Sequence, residues 1–226
     1  MGAAMGPAMD PEAIRIVTAA VGPLEANCHL ILELPSRQAA VIDPGSEPER
    51  ILKELEGFQV AWILATHAHF DHVGALRAIR EKTGAPFLLH PADRELLAYA
   101  PDAATLFTGA AIPEPPPPDG PLAHGQRIRL GRVTLEVRHT PGHSPGSVSF
   151  ILAEPRPVAF TGDTLFAGSA GRTDLPGGSA ELLLRSIHRQ LLTLPDACRV
   201  YPGHGQATTI GAERRTNPFL QGYAGG

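Results

Sequence analysis

Apolar positions along this chain fall into short runs separated by glycine- and proline-marked turns, with no long heptad stripe. Ile14 to Thr18 and Cys28 to Leu34 read as strands around a Gly22-Pro23 turn. Ala39 to Ile42 is a short apolar run that stops at Asp43-Pro44-Gly45, a strong turn signal. Pro48 to Leu55 reads as a short helix, and Val60 to Ala65 as a buried strand that delivers the chain to Thr66. Val73 to Lys82 places Val73, Leu76 and Ile79 at helical spacing. Pro86 to His90 returns to strand, and Pro91 opens another helix, since proline suits a first turn.

From Tyr99 to Pro121 the periodicity stops. Within that stretch the Pro-rich segment 113–121 holds an unbroken run from Pro115 to Pro118, which lacks donors and favours extended polyproline geometry. It reads either as a stiff flap edge near a pocket or as a surface linker. The second half repeats the rhythm of the first. Arg127 to Leu130 and Val133 to Arg138 form a hairpin around Gly131-Arg132, and Ser147 to Leu152 and Val158 to Thr161 are strands. Ala180 to Leu192 is an amphipathic helix with Leu183, Leu184, Ile187 and Leu191 on one stripe, and Arg199 to Tyr201 is a last short strand. The fold class is therefore α/β: two sheets face to face with helices outside. Residues 1–12 are expected to be a loose tail and 13–226 a single domain.

Composition narrows the function classes. Hydrophobic residues make up 43% of the chain, enough for a core. The net charge of −4 and the lack of a Lys/Arg-rich run disfavour a nucleic-acid-binding face. No apolar run approaches the ~18 residues of a membrane span, and the N-terminus lacks the basic and apolar regions of a secretory signal. Cys28 and Cys198 lie far apart beside apolar stretches, so they read as buried packing thiols, consistent with a cytoplasmic location. The expected partner is a small-molecule substrate, with no nucleic acid and no membrane; self-association into a homo-oligomer stays open.

The chemistry concentrates in Thr66-His67-Ala68-His69-Phe70-Asp71-His72, between a strand and a helix. His67 and His69 are two apart, so on extended chain both reach one ion. Asp71 and His72 fall on the turn into the helix and can address a second position. His143 is presented by the tight loop Pro141-Gly142-His143-Ser144-Pro145-Gly146, Asp163 ends an apolar strand where a carboxylate can bridge two cations, and His204 follows the last strand. Imidazole and carboxylate donors suit zinc, iron or manganese, with zinc the first expectation. Two divalent metal ions about 3.5–4 Å apart would hold a hydroxide at neutral pH, with Asp71 both ligating and orienting it. No GxSxG elbow offers a serine route. His29, His90, His124, His139 and His188 lack such settings and read as structural or surface residues, His139 being close enough to His143 to brace it.

The motifs THAHFDH at 66–72, PGHS at 141–144, GDTLF at 162–166 and PGHG at 202–205 resemble the metallo-β-lactamase superfamily. The resemblance runs from about Ile14 to Phe219 and implies an αββα sandwich with the metals at one edge. It implies that His67, His69 and His143 hold one metal, that Asp71, His72 and His204 hold the other, and that Asp163 bridges them. Zinc β-lactamases commonly carry cysteine where this chain has Asp163, which counts against antibiotic hydrolysis. Within the superfamily, VGPLEANCHLI at 21–31, GSAGRTDLPGGS at 168–179 and NPFL at 217–220 are similar to the short bacterial glyoxalase-II-like branch. That similarity implies hydrolysis of a thioester such as S-lactoylglutathione by a metal-bound hydroxide.

Glyoxalase II continues into a helical domain that grips glutathione, whereas this sequence ends soon after His204. Arg172, Arg214 and Arg215 are then the candidates for a substrate carboxylate. Arg172 is the foremost, and its alternative role is an ion pair with Asp174. Asn217 and Phe219 either line the pocket or anchor the terminus. The competing functions are a persulfide dioxygenase with one iron on His67, His143 and Asp163, a lactonase or phosphodiesterase on the same ligands, and an idle metal-stabilised scaffold. The Gly205 after His204 and the intact second-metal set favour the hydrolase.

Overall fold

The computed structural model describes residues 11–221. Most of the expected N-terminal tail, residues 1–10, lies outside the described residues, and Pro11–Ala13 form a 3-10 turn. The chain then runs through β1 (Ile14–Val21), β2 (Ala26–Glu33), β3 (Gln38–Ile42), helix α1 (Pro48–Glu54), β4 (Gln59–Leu64), helices α2 (Phe70–Val73) and α3 (Leu76–Thr83), β5 (Phe87–Leu89), helix α4 (Arg94–Thr108) and β6 (Gly120–Pro121). These strands form one mixed sheet in sequence order, antiparallel from β1 to β3 and parallel from β3 to β6.

The second half supplies β7 (Arg127–Leu130), β8 (Val133–His139), β9 (Val148–Leu152), β10 (Val158–Gly162), a hairpin of β11 (Leu165–Phe166) and β12 (Ser169–Ala170), helix α5 (Ala180–Ser186), β13 (Arg199–Pro202), β14 (Thr208–Thr209) and helix α6 (Ile210–Thr216). The second sheet has the order β14-β13-β10-β9-β8-β7, with β10 and β13 parallel. Among the described residues no helix is long and apolar enough to cross a membrane.

Side-chain alternation sorts the strands into layers. Ile31, Ala40, Ile42 and Leu64 meet Leu135, Val137, Phe150 and Phe160 between the sheets. Leu30, Leu32, Val41 and Ile63 point the other way, onto Ile51, Leu76, Ile79 and Leu97 of the first helical layer. On the far side Ile151, Ala159 and Val200 pack against Leu183, Ile187 and Leu191. The result is the expected αββα sandwich. All eight residues of β2 are buried, Asn27, His29 and Glu33 among them, rather than alternating with exposed positions. Phe87, Phe150 and Phe160 are fully buried, each contributing about 1.5–3 kcal/mol.

Several elements differ from the sequence expectations. The helix after Pro91 does not stop at Tyr99: α4 continues through Pro101 to Thr108. Proline removes one helical donor, but Leu97, Ala100 and Ala104 bury that face, and Thr105 Oγ1 donates to Pro101 O at 3.1 Å. The helix expected from Val73 begins at Phe70 and breaks after Val73, where Ala75 N donates to Pro44 O at 2.9 Å. The helix expected over Ala180 to Leu192 loosens into a π turn at Ile187–Leu191, which keeps both of those residues in the core. Pro115 and Pro116 are buried in a brace along α3 and β5: Arg77 Nε donates to Glu114 O at 2.7 Å, and Phe87 N to Asp119 at 2.9 Å.

Candidate metal centre

The sequence-predicted ligands meet at one edge of the sandwich. β4 ends just before Thr66, and the next residues present His67 and His69 before α2 turns Asp71 and His72 inward. His143 comes from the β8–β9 loop, Asp163 follows β10, and His204 follows β13. The backbone laces these loops together. Val148 N donates to Thr66 O at 2.8 Å, Asn27 N donates to Gly203 O at 2.7 Å, and Ala26 bridges His204. A Cβ on Gly203 would overlap Asp163 Oδ1, so only glycine lets the last loop approach this closely.

Ring nitrogens that face away from the centre are anchored. Thr66 Oγ1 donates to Asp43 Oδ2 at 2.6 Å and accepts from His67 Nδ1 at 3.0 Å. His72 Nδ1 donates to Asp43 Oδ2 at 3.0 Å, His143 Nδ1 to Arg172 O at 2.8 Å, and His204 Nδ1 to Leu24 O at 3.1 Å. Each anchor fixes a tautomer and leaves the Nε2 lone pair aimed inward. His69 instead turns Nδ1 inward, 2.8 Å from His143 Nε2.

The inward atoms form two groups. His67, His69 and His143 offer nitrogens within 4.8 Å of one another, and an Asp71 carboxylate oxygen and the nitrogens of His72 and His204 lie equally close together. Asp163 lies between them: Oδ2 is 3.4 Å from His143 Nε2 and 3.7 Å from His204 Nε2, and Oδ1 is 3.5 Å from His72 Nε2. His67 Nε2 and Asp163 Oδ1 are buried without a hydrogen-bond partner. Buried polar atoms are normally satisfied, so two orphans aimed at one spot fit a cation there.

Charge tells the same story. Burial works against a charged His72, yet Asp71, Asp163 and Asp43 outweigh it and lift the imidazole to about 10. Burial likewise opposes ionisation of Asp71, but His72 and His204 hold its carboxyl well below the usual range. Burial and the neighbouring His72 and His143 keep His67 well below its ordinary value, and burial with His143 takes His69 down to about 3. Converging carboxylates stabilise positive charge here, while neutral imidazoles keep their lone pairs available. That is the donor chemistry of a divalent-metal site.

Two supporting carboxylates escaped the sequence reading. Asp43, at the end of β3, adopts a left-handed φ of 54° and also accepts from Thr66 N at 2.7 Å. Asp93 is fully buried and accepts from Ala68 N at 3.1 Å, Ser144 Oγ at 2.7 Å and Gly146 N at 2.6 Å. It thereby ties the His67–His69 segment to the His143 loop. The one signal for Asp43 was the Asp-Pro-Gly turn; Asp93 had none beyond a helix start. His139 braces the same loop, donating from Nε2 to Pro145 O at 2.9 Å while stacking on His90.

A cavity of about 730 Å³ opens over the centre and includes Arg172 in its wall. Arg172 holds Asp174 with two hydrogen bonds of 2.7 Å, which is the ion pair considered as its alternative role. The other substrate candidates do not line this cavity. Arg214 pairs with Asp196 and donates to Leu192 O and Leu194 O, and Arg215 also faces Asp196. Asn217, a candidate for either the pocket or the terminal anchor, is fully buried; its amide donates to Ser169 O and Glu213, and it accepts from Phe219 N. It is a terminal anchor, and Phe219 is exposed beside it.

Residues 21–204 match the family model described as the metallo-beta-lactamase superfamily. Among curated relatives, hydroxyacylglutathione hydrolase GloC of Haemophilus influenzae is 39% identical over 88% of this chain and 95% of its own length. The mitochondrial persulfide dioxygenase ETHE1 of Bos taurus is 35% identical over 85% of this chain and 70% of its own length. Among solved structures, the BLEG-1 B3 metallo-beta-lactamase superposes with a TM-score of 0.86 at 41% identity, covering 92% of this chain and all of its own. TTHA1623 in a di-iron-bound form gives 0.83 at 46%, covering 90% of this chain and all of its own.

Proposed function

Because the chain belongs to the metallo-beta-lactamase superfamily, we infer that its histidine–aspartate centre holds two divalent metal ions and hydrolyses a thioester. The observation that carries this reading is the set of inward lone pairs with anchored outer nitrogens, centred on the orphaned His67 Nε2 and Asp163 Oδ1. His67, His69 and His143 would hold one ion, Asp71, His72 and His204 the other, and Asp163 both. A bound pair of divalent cations supplies hydroxide at neutral pH and takes up charge on the carbonyl oxygen. The donor set accepts zinc, iron or manganese, and a solved relative is described as di-iron-bound.

The chain's own groups do the rest. Asp71, beside the cavity, accepts a hydrogen bond from the attacking water and orients it. Asp43 and Thr66 hold His72 and His67 in one tautomer each. A thiol leaves as thiolate with a pKa near 8.5, so no buried acid is needed to protonate it. Thioester chemistry is further supported by the motifs at 21–31 and 168–179 and by the relative described as a hydroxyacylglutathione hydrolase.

The test is hydrolysis of S-lactoylglutathione by metal-loaded protein, with a β-lactam as control because one solved relative is described as a lactamase. We expect kcat/KM above about 10⁴ M⁻¹s⁻¹, inside the ordinary enzyme range. The second reading, persulfide dioxygenase with one iron on His67, His143 and Asp163, rests on the 35% identical bovine relative. Oxygen uptake with glutathione persulfide, without thioester turnover, would favour it.

A further inference from the structure

Helix α4 carries two apolar stripes where a surface helix ordinarily carries one. Leu97, Ala100 and Ala104 are buried in the fold. Leu96, Tyr99, Ala103, Leu106 and Phe107 follow helical spacing on another side and line the cavity over the metal centre. Leu106 is 70% exposed and Phe107 58% exposed, which is costly placement for side chains of that size. The second stripe is fastened to the metal ligands: Phe107 stacks on Phe70, with ring centroids 6.1 Å apart, and Phe70 stands between His69 and Asp71 in sequence. Leu24, Phe166 and Leu175 supply further apolar lining.

Cationic groups are scarce in the same cavity. Among the described residues that line it, Arg172 is the one arginine or lysine, and both arms of its guanidinium fork already hold Asp174. A glutathione group carries two carboxylates and an ammonium at neutral pH, and firm recognition of carboxylates calls for charge-assisted donors. An apolar chain needs only the surface that α4 leaves uncovered.

We propose that the substrate of this centre is a thioester bearing an alkyl or arylalkyl chain that lies against the Leu96–Tyr99–Leu106–Phe107 face of α4. This rests on the thioester-hydrolase reading and narrows it: glutathione is tolerated as a leaving group but is not what the site recognises. Specificity is set by chain length and apolarity at α4, next to the ligands, and Arg172 works through Asp174 to hold the loop that receives His143 Nδ1.

The test uses full-length, metal-loaded protein and two series of neutral thioesters. One is the S-acyl-N-acetylcysteamines from acetyl to octanoyl; the other is S-acetyl alkanethiols of rising length. S-lactoylglutathione and S-lactoyl-N-acetylcysteamine are compared alongside. In at least one series kcat/KM should rise about threefold to fourfold per added methylene until the face is covered. The two lactoyl thioesters should differ by less than about threefold. The double variant Leu106→Ser, Phe107→Ser, with unchanged metal content and circular dichroism, should cut the octanoyl-to-acetyl or long-to-short ratio by about tenfold or more. Turnover that is flat with length in both series, or a strong preference for glutathione, overturns this inference and leaves the hydrolase reading standing. Flat turnover with a change from dimer to monomer in the double variant assigns the face to self-association and likewise overturns it. No turnover of any thioester by protein holding its metals overturns both.

Discussion

The carboxylate of Asp43 accepts the Nδ1 proton of His72 at 3.0 Å, with both side chains sealed from solvent. The same carboxylate takes the backbone NH and the hydroxyl of Thr66, so it serves both sides of the centre. Asp43→Asn would turn an amide NH₂ or a single oxygen toward three donors. We expect the affinity of the Asp71–His72–His204 side for metal to fall about 10- to 100-fold, with about 1–3 kcal/mol of stability lost for each donor left unpaired. Metal content after dialysis, together with urea melts, reads both effects. A variant that keeps both metals and its full stability would show that Asp43 does not position His72.

His69→Ala removes one of three nitrogens on its side of the centre and leaves the inter-sheet core untouched. One metal equivalent should be lost, and turnover should fall by two orders of magnitude or more, about 2.7 kcal/mol of transition-state stabilisation. The circular dichroism spectrum should stay unchanged. Wild-type rate and metal content in this variant would refute the ligand assignment.

Acid should destabilise the fold through a histidine outside the ligand set. His29 is buried between Thr18 Oγ1 and Pro202 O, each 3.0 Å away, and burial pushes its imidazole down to about 4 from 6.5. Between those values the unfolded chain binds a proton that the folded chain refuses. The stabilisation is therefore complete above pH 6.5 and is lost as pH falls toward 4. The loss from this residue between pH 7 and pH 5 is about 2 kcal/mol. Urea titrations of wild type and His29→Gln at both pH values test it; parallel losses in the two proteins would remove His29 as the cause.

Asp93→Ala should injure the centre without touching a ligand. It orphans Gly146 N, Ala68 N and Ser144 Oγ, at about 1–3 kcal/mol for each group that finds no other partner. It also frees the His143 loop from the His67–His69 segment, so thermal stability and metal retention should fall together. A large drop in melting temperature with unaltered metal affinity would make Asp93 a fold residue alone.

The ligands were legible because imidazoles and a carboxylate crowd one strand-to-helix turn, an arrangement with no packing rationale. The sandwich was legible because β9, β10 and the Leu30–Leu32 part of β2 are buried on both faces and read as apolar runs. Asp43 and Asp93 were not, since each is a lone carboxylate whose partners lie 23 to 29 and 25 to 53 residues away. The second half of α4 was hidden by Pro101, and with it the apolar wall of the cavity. α6 is a single short helix started by the Thr209 cap, too brief to show a period. Asn217 stayed open between pocket and terminal anchor because nothing in NPFL reveals that its amide faces Ser169 and Glu213.

The ligands are divided between the two sheets. Those at 67–72 follow β4 of the first, while His143, Asp163 and His204 follow strands of the second. Cations held by both sets would act as rivets through the seam of the sandwich. Prising the sheets apart at that edge would first have to strip such a metal of half its donors. The linkage runs both ways: any change that unseats the sheets, even at Phe150 or Phe160 in the interior, registers as weaker metal binding. The grip on bound ions would thus gauge how well the two halves of the chain have closed on each other.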